Sequence, residues 1–286
     1  MQKYLGETIL LFVTVIAAIG WFFSKYAIAE MPPVGFLGLR FSLAALLFLP
    51  FAYPQLKALS ASQRIACASV GIMFTLDLAF WIIAIHYSTQ FGEGAFIFSL
   101  SMLIAPLIGW ILFKQKPAAL FWIALPIATC GLYLLSAAQG ELHFSLSTVL
   151  YLCAALSAAV YFVLNNQYAK SVSPLPLTTI QLACVGTLCG IYSLLTEDWS
   201  RSISVETWLW FGASVLIATN FRFFLQTLGQ RYCNITVAAI IMTLEPVWTL
   251  GLSIWLLDEI LTWQKGLGCL LILTALLVYR LKSFLK

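Results

Sequence analysis

Apolar runs follow one another along most of this chain, and short joints rich in proline, glycine or charged residues separate them. Most runs approach or exceed the roughly 20 residues that a helix needs to cross the core of a bilayer. The pattern therefore predicts an all-α polytopic membrane protein. Ten transmembrane helices are expected near residues 5–25, 33–52, 65–86, 93–113, 117–137, 147–168, 175–195, 207–228, 235–257 and 263–281.

The run from 235 to 257 contains a single ionisable residue, Glu245, and Pro246 follows it directly. A proline inside a helix removes a backbone hydrogen bond and bends the helix, so a kink is expected beside this acid. The same layout occurs roughly 140 residues earlier, with Pro106 in the place of Pro246. This spacing is half the chain, and it predicts a duplicated helical bundle.

An odd number of predicted spans in each half determines how the halves are related. Residues 1–143 are predicted to form the first repeat and residues 144–286 the second, with five spans each. The second repeat must then enter the membrane from the side opposite to the first, which makes the two five-helix repeats inverted. In such folds the substrate commonly binds near the midplane where the repeats meet, so the architecture favours transport over catalysis.

Composition agrees with a membrane protein, because 62% of the residues are hydrophobic and 9% are charged, whereas soluble domains average about 25% charged residues. The seven cysteines lie mostly in apolar runs without CxxC spacing, so we predict no metal, disulfide or cofactor. A net charge of +4 without a long basic run gives no indication of nucleic acid binding. The first run also fits a secretory signal, but it is long for one and has a counterpart at residues 157–169.

Lysine and arginine residues are unevenly divided between the two sets of joints. If the N-terminus is cytoplasmic, the inner joints and termini hold Lys3, Lys57, Arg64, Lys114, Lys116, Lys170, Arg231, Arg280, Lys282 and Lys286, and the outer joints hold Lys25, Arg201 and Lys265. Positive residues collect on the cytoplasmic side of membrane proteins. Both termini are therefore predicted to be cytoplasmic, in a bacterial inner membrane.

Three stretches of this chain resemble a known family. They read GWFFSKYAIAEMPPVGFLGLRFSLAALLFL in spans 1 and 2, AIHYSTQFGEGAFIFSLSMLIAPLIGWILF in spans 3 and 4, and TVAAIIMTLEPVWTLGLSIWLLDEILTWQKGLGCLLIL in spans 9 and 10. Over essentially its whole length the chain is similar to the drug/metabolite transporter superfamily, in its ten-helix EamA-type branch. It departs at residues 114–116, Lys-Gln-Lys, where a Gly-Glu pair commonly follows the fourth span of these proteins. The resemblance implies export of amino acids and other small metabolites, or exchange of sugar phosphates, nucleotide sugars and similar solutes.

Four charged residues lie within the predicted spans, at Arg40, Asp77, Arg222 and Glu245. A charge at the bilayer centre costs at least about 2.5–3.5 kcal/mol, so such residues face a protein interior or a wet cavity. Arg40 can instead reach the outer interface with its long side chain. Glu245 is expected to act in transport, by carrying a proton or by holding a cationic group of the substrate, unless it only binds the backbone at the kink.

Superposition of the two halves of the sequence pairs Arg40 with Gln181 and Asp77 with Arg222. Opposite charges at equivalent positions predict that Asp77 and Arg222 interact across the repeat interface, either as a structural pair or as a site for both charges of a zwitterion. Asn220 is a further candidate, although amides often only join helices. Trp21, Trp81 and Tyr161 are candidates for the wall of a substrate cavity, although contact with the core or with lipid is the default for rings in a chain with 15% aromatic residues.

Taken together, these features predict a secondary transporter of small polar or zwitterionic metabolites, specifically an amino-acid-type exporter that works by alternating access. The alternative is an exchanger or importer of a larger anionic metabolite, such as a nucleotide-like or sugar-phosphate solute. HExxH, GxSxG and P-loop sequences are absent, so an enzyme is not predicted, although an intramembrane enzyme and a receptor-like protein stay open. The expected partners are a small-molecule substrate, the lipid bilayer and a proton as coupling ion.

Overall fold

The computed structural model describes residues 2–87, 91–137, 146–200, 202–257 and 262–284, and within these ranges it contains helices and no β-strand. The helices are α1 (Gln2–Ala27), α2 (Pro33–Ala58), α3 (Ala61–Tyr87), α4 (Phe91–Phe113), α5 (Ala119–Ala137), α6 (Leu146–Tyr168), α7 (Pro174–Thr196), α8 (Val205–Val215), a π-helical segment (Leu216–Phe221), α9 (Arg222–Tyr232), α10 (Ile235–Met242), α11 (Glu245–Leu257) and α12 (Trp263–Phe284).

Apolar helices long enough to cross a membrane account for most of the bundle. Seven such stretches occur in the described part of the chain, and three shorter apolar helices lie at Ile97–Phe113, Ala119–Leu134 and Trp263–Val278. Large apolar side chains also cover the outside, as at Leu194 and Leu195, which are 80% and 79% exposed. The all-α membrane fold is therefore supported. The count of ten spans stays a prediction, because in three of the expected helices the described apolar stretch is shorter than a membrane span needs.

Two of the expected spans are interrupted next to a charged residue. The eighth contains the π-helical segment, which ends directly before Arg222. The ninth predicted span is divided into α10 and α11, and Glu245 is the first residue of α11. Pro246 follows in the first helical turn, where a missing backbone N–H costs no hydrogen bond, and the expected irregularity beside the acid is confirmed. By contrast, α4 continues through Pro106, so the corresponding proline in the first half does not break its helix.

Small residues allow the closest helix contacts. Helices α2 and α7 pack along one another, and a Cβ atom added at Gly38 would lie 2.6 Å from the backbone of Gly190. A Cβ atom at Gly20 of α1 would lie 2.7 Å from Ala218 Cβ in the π-helical segment. Without a hydrophobic force between helices in lipid, such close backbone approach is a main source of association. It brings α1, α2 and the π-helical segment into one packed group.

Two glutamates outside the helices cap the starts of other helices. The Glu197 carboxylate accepts hydrogen bonds from the backbone N–H groups of Val34 and Gly35, at 3.0 and 2.6 Å. The Glu30 carboxylate accepts from the Ser204 N–H and the Thr207 hydroxyl, each at 2.8 Å. These hydrogen bonds, led by that of the Ser204 backbone, lower the pKa of Glu30 below its ordinary value. They satisfy orphan N–H groups and fix the ends of α2 and α8.

Candidate functional site

A partly accessible ion pair lies inside the bundle between Arg222 and Glu245. The Arg222 Nη2 atom is 3.4 Å from the Glu245 Oε2 atom, and the two side chains are 21% and 17% exposed. Glu245 starts α11, where the helix N-terminus favours a negative charge. Arg222 starts α9 directly after the π-helical segment. Both interruptions of the spans therefore place a charge at the same point in the bundle.

Aromatic side chains form one side of this site. Trp21 on α1 donates its indole N–H to the other Glu245 oxygen, Oε1, at 2.9 Å. Trp81 on α3 contacts Trp21 edge to face, with ring centroids 4.9 Å apart. Phe98 lies beyond Trp81 at 6.3 Å. The structure thus brings Trp21 and Trp81, both predicted as site residues, next to the ion pair, with Trp21 contacting it directly.

Asp77 on α3 is 4% exposed and belongs to the same region. Its Oδ1 atom is buried and accepts no hydrogen bond, and the Nε atom of Arg222 is a buried donor without an acceptor. The two side chains interact electrostatically, although the hydrogen bond of Arg222 is to Glu245. The structure therefore places Asp77 and Arg222 within one electrostatic cluster, and it adds Glu245 as the hydrogen-bonded partner of the arginine. Their direct pairing stays a prediction.

Arg40 on α2 is 6% exposed and is occupied by protein groups. Its Nη1 and Nη2 atoms donate to the Ser24 hydroxyl at 2.9 Å and to the Ala218 carbonyl at 3.0 Å. Its Nε atom donates to the Thr219 hydroxyl. Asn220 makes a similar link, because its amide donates to the Ala44 carbonyl of α2 at 2.8 Å. Arg40 and Asn220 therefore fasten α2 to the π-helical segment.

Tyr161 and Gln181 lie deeper in the bundle. The Tyr161 ring stacks on Phe74, with centroids 4.3 Å apart, and its hydroxyl donates to Gln181 Oε1 at 3.5 Å. Gln181 is fully buried and donates to Asn165 at 2.7 Å. Neither residue contacts the ion pair in the described hydrogen bonds. Tyr161 does interact electrostatically with Asp77, so it belongs to the edge of the site.

A buried amide network continues from Gln181 towards the joint between α9 and α10. Asn165 donates to Gln230, and Asn166 donates to the carbonyls of Gln230 and Cys233 at 2.9 and 3.1 Å. All of these side chains are almost fully buried. These hydrogen bonds join α6 to the C-terminal end of α9 and give partners to buried polar groups, which are costly to leave unpaired.

Several of these contacts were not predicted from the sequence. Ser24 and Thr219, which accept from Arg40, are uncharged and belong to no recognisable motif, so the sequence does not mark them. Gln226, Thr227 and Gln230 do share a signal, since residues three and four apart lie on one face of a helix. A polar face on an intramembrane helix indicates a buried network or a cavity. That spacing was available in the sequence of α9.

The arrangement offers one cationic and one anionic group to a ligand, with indole and phenyl rings beside them. Among the described residues no group of three or more histidine, cysteine, aspartate or glutamate side chains is placed to hold a metal ion. A partly exposed pair of opposite charges within an apolar helical bundle is expected of membrane transporters, which need polar groups inside the membrane to receive a solute.

The comparisons with known proteins agree with this class. The family model described as the EamA-like transporter family matches residues 4–137 and 146–281, and this chain belongs to that family. The resemblance found in the three sequence stretches is thereby confirmed. Membership in a transporter family also favours transport over catalysis.

Two relatives carry transporter names without a stated substrate. An uncharacterized transporter of Archaeoglobus fulgidus is 28% identical over 258 residues, which cover 90% of this chain and 80% of the relative. The uncharacterized transporter YvbV of Bacillus subtilis is 25% identical over 292 residues, covering 99% and 94%. A solved crystal structure superposes with a TM-score of 0.80 over 97% of both chains at 15% identity, which shows a shared fold.

Proposed function

We propose that this protein is a secondary transporter of small zwitterionic metabolites, acting as an amino-acid-type exporter in a bacterial inner membrane by alternating access. The observation that carries the proposal is the ion pair between Arg222 and Glu245, which is partly exposed inside the bundle. An α-amino acid has a carboxylate that matches Arg222 and an ammonium group that matches Glu245. Entry of such a solute exchanges one ion pair for two, so neither charge is left uncompensated.

The surroundings of the pair support a solute with a small or aromatic side chain. Trp21 orients Glu245 through its indole N–H, and Trp81 extends the aromatic side of the site. The faces of indole rings attract ammonium groups as well as apolar side chains. Trp21 therefore has two functions in the proposal, as a hydrogen-bond donor to Glu245 and as a contact for the solute.

The alternative of a larger anionic metabolite has less support. A phosphate-bearing solute needs several cationic groups to balance its charge. Arg40 is a second arginine within the bundle, but its guanidinium is buried and donates to Ser24, Ala218 and Thr219. Arg222 already shares its charge with Glu245. The described part of the site therefore suits a solute with one negative and one positive group.

The packing of the helices supports two inverted five-helix repeats, which alternating access requires. Helix α3 packs against α6, while α9 packs against α1, and these two contacts are equivalent if α1 to α5 correspond to the predicted spans 6 to 10. The contacts of α2 with α7 and of α5 with α12 each join equivalent members of the two halves. We propose the repeats at residues 1–143 and 144–286, with cytoplasmic termini, and alternating access by movement of one repeat against the other.

Flux through proteoliposomes tests the proposal. Vesicles containing the purified protein are given a mixture of the twenty isotope-labelled amino acids, and the labels that cross are identified by mass spectrometry. Saturable flux of one or more of them is expected, and Glu245→Gln is expected to reduce it at least about tenfold, as loss of a charged partner costs more than about 1.4 kcal/mol. Glu206→Gln, at an exposed glutamate of α8, is the matched control and should behave as wild type. Saturable flux of sugar phosphates or nucleotides alone would establish the alternative.

A further inference from the structure

Two buried polar atoms near the ion pair lack hydrogen-bond partners and are complementary to each other. The Asp77 Oδ1 atom is an acceptor without a donor, and the Arg222 Nε atom is a donor without an acceptor. The two residues already interact electrostatically. An arginine carries donors on more than one edge of its planar group, so it can serve two carboxylates in turn.

An ionised carboxylate is hard to accommodate in the observed position of Asp77. The side chain is 4% exposed, and the arginine hydrogen bond that would stabilise a negative charge is given to Glu245. Burial of an ion without a hydrogen-bonded partner is far more costly than burial of a neutral group. In this conformation the carboxyl group of Asp77 is therefore best accommodated with a proton on it.

We propose that Asp77 is the proton-binding group of the transport cycle and that Arg222 alternates between Glu245 and Asp77. In the conformation described here Asp77 is neutral and Arg222 binds Glu245. When the substrate binds, its ammonium group occupies Glu245 and its carboxylate accepts from the Nη atoms of Arg222, while the Nε atom of Arg222 turns to Asp77. The proton of Asp77 is then released to water, and the reverse exchange takes up a proton again. One proton is bound on one side of the membrane and released on the other in each cycle.

The groups around Asp77 leave Arg222 as its cationic partner. Helix α3 packs against α2, α4, α6 and α7. From α6, Tyr161 interacts with Asp77, but its hydroxyl donates to Gln181. From α7, Cys184 lies against Gly71, further along α3. From α2, Arg40 is held by its own three acceptors, and on α4 the side chain of Glu93 is outside the described residues.

The inference separates two roles that were alternatives for Glu245 in the sequence analysis. Glu245 receives the charged group of the solute, and Asp77 receives the proton. This division rests on the proposed transport function, because a proton site has a role in coupling only if a solute is moved. The binding of the proton itself is a property of the protein alone and is measured without any solute.

Infrared spectroscopy of the full-length protein in lipid vesicles at pH 7 tests the proton site. A carbonyl band of a protonated carboxyl group is expected, and it should shift when aspartate, but not glutamate, carries ¹³C in the side-chain carboxyl. Aspartate occurs at Asp77, Asp198 and Asp258. Asp77→Asn should remove the band, and Asp198→Asn, at an exposed residue, should keep it. If Asp77→Asn does not fold, Asp258→Asn and Asp198→Asn assign the band by elimination. The absence of a band in wild type, a shift with labelled glutamate, or a band that survives Asp77→Asn overturns the proposal.

Flux of the labelled amino acid mixture tests the coupling. Asp77→Asn should still exchange labelled for unlabelled solute but should lose its response to a pH gradient, whereas Glu245→Gln should lose exchange as well. Gradient-driven flux that is unchanged in Asp77→Asn overturns the proposal. A wild type without any flux contradicts the transport of amino acids, while the infrared band still decides whether Asp77 binds a proton.

Discussion

Arg40 and Arg222 are two arginines inside the bundle whose surroundings differ. Both Arg40 and Arg222 lie within predicted spans, and from the sequence both were candidates for the substrate site. In the fold, the Nε, Nη1 and Nη2 atoms of Arg40 all donate to protein acceptors, whereas Arg222 forms a partly exposed ion pair with Glu245. We therefore assign Arg40 to the support of the π-helical segment.

Two replacements of Arg40 test this assignment, because they are expected to lower the unfolding free energy by different amounts. Arg40→Lys keeps a buried positive charge but cannot reach three acceptors in different directions, so we expect a loss of about 1–3 kcal/mol in unfolding free energy. Arg40→Met removes the buried charge together with its desolvation cost, so it should be less destabilising than Arg40→Lys. Thermal unfolding of the purified variants compares them. A lysine variant as stable as wild type would show that the hydrogen bonds of Arg40 are unimportant.

The sequence predicts the role of a residue best when its partners are close to it along the chain. Glu245 was identified because one acid within a long apolar run, next to a proline, is visible locally. The partners of Arg40 were not, because Ala218 is 178 positions away and contributes a backbone carbonyl that no sequence pattern marks. Similarly, the pairing of Arg222 with Glu245 depends on how α9 and α11 meet, and Asp77 was the partner expected from the repeat.

At the level of helices, the breaks differ in how far the sequence predicts them. The break before Glu245 coincides with Pro246, which cannot continue an α-helical hydrogen-bond pattern. The π-helical segment, Leu216–Phe221, contains neither proline nor glycine. It is held by side chains of α2 and by the Thr219 hydroxyl, which donates to the Ser214 carbonyl at 2.9 Å. Because the contacts with α2 are tertiary and no proline or glycine marks the segment, a continuous span was expected there.

The contact between α2 and α7 depends on one glycine more than on the other. A Cβ atom at Gly38 would be 2.6 Å from Gly190 backbone atoms, whereas one at Gly190 would be 4.0 Å from the Gly38 Cα atom. Gly38→Ala should therefore lower the free energy of unfolding by about 1–3 kcal/mol through overpacking. Gly190→Ala, the matched control in the same contact, should be neutral or stabilising. Equal thermal stabilities of the two variants would contradict this prediction.

The cap of α8 predicts a stability change at acid pH. The pKa of Glu30 is lowered in the folded protein, so the ionised form contributes stability above the ordinary value of 4.5, and this contribution is lost as pH falls through the lower folded pKa. Unfolding temperatures of wild type and Glu30→Gln should therefore differ at pH 7 and converge towards pH 3. A difference that is the same at both pH values would assign the effect to packing.

For the whole molecule, the positive-inside distribution gives an orientation that can be measured directly. Ser60 lies in the exposed joint between α2 and α3, and Ser202 lies in the exposed joint before α8. In a cysteine-free background, Ser60→Cys should be protected from an impermeant thiol reagent added outside intact cells, and Ser202→Cys should react. Permeabilised cells provide the control, in which both should react. The opposite pattern would reverse the orientation of every helix.

The π-helical segment also has a mechanical consequence. A π-turn takes up one residue more than an α-turn, and each residue gained or lost turns the following helix by about 100° around its axis. Arg222 is the first residue after the segment, while α8 before it is anchored through its cap on Glu30. A shift of register within Leu216–Phe221 would therefore turn Arg222 away from Glu245 without displacing α8. Under the proposed function, the two parts of this span have different tasks, because α9 can turn the substrate-binding charge while α8 stays anchored.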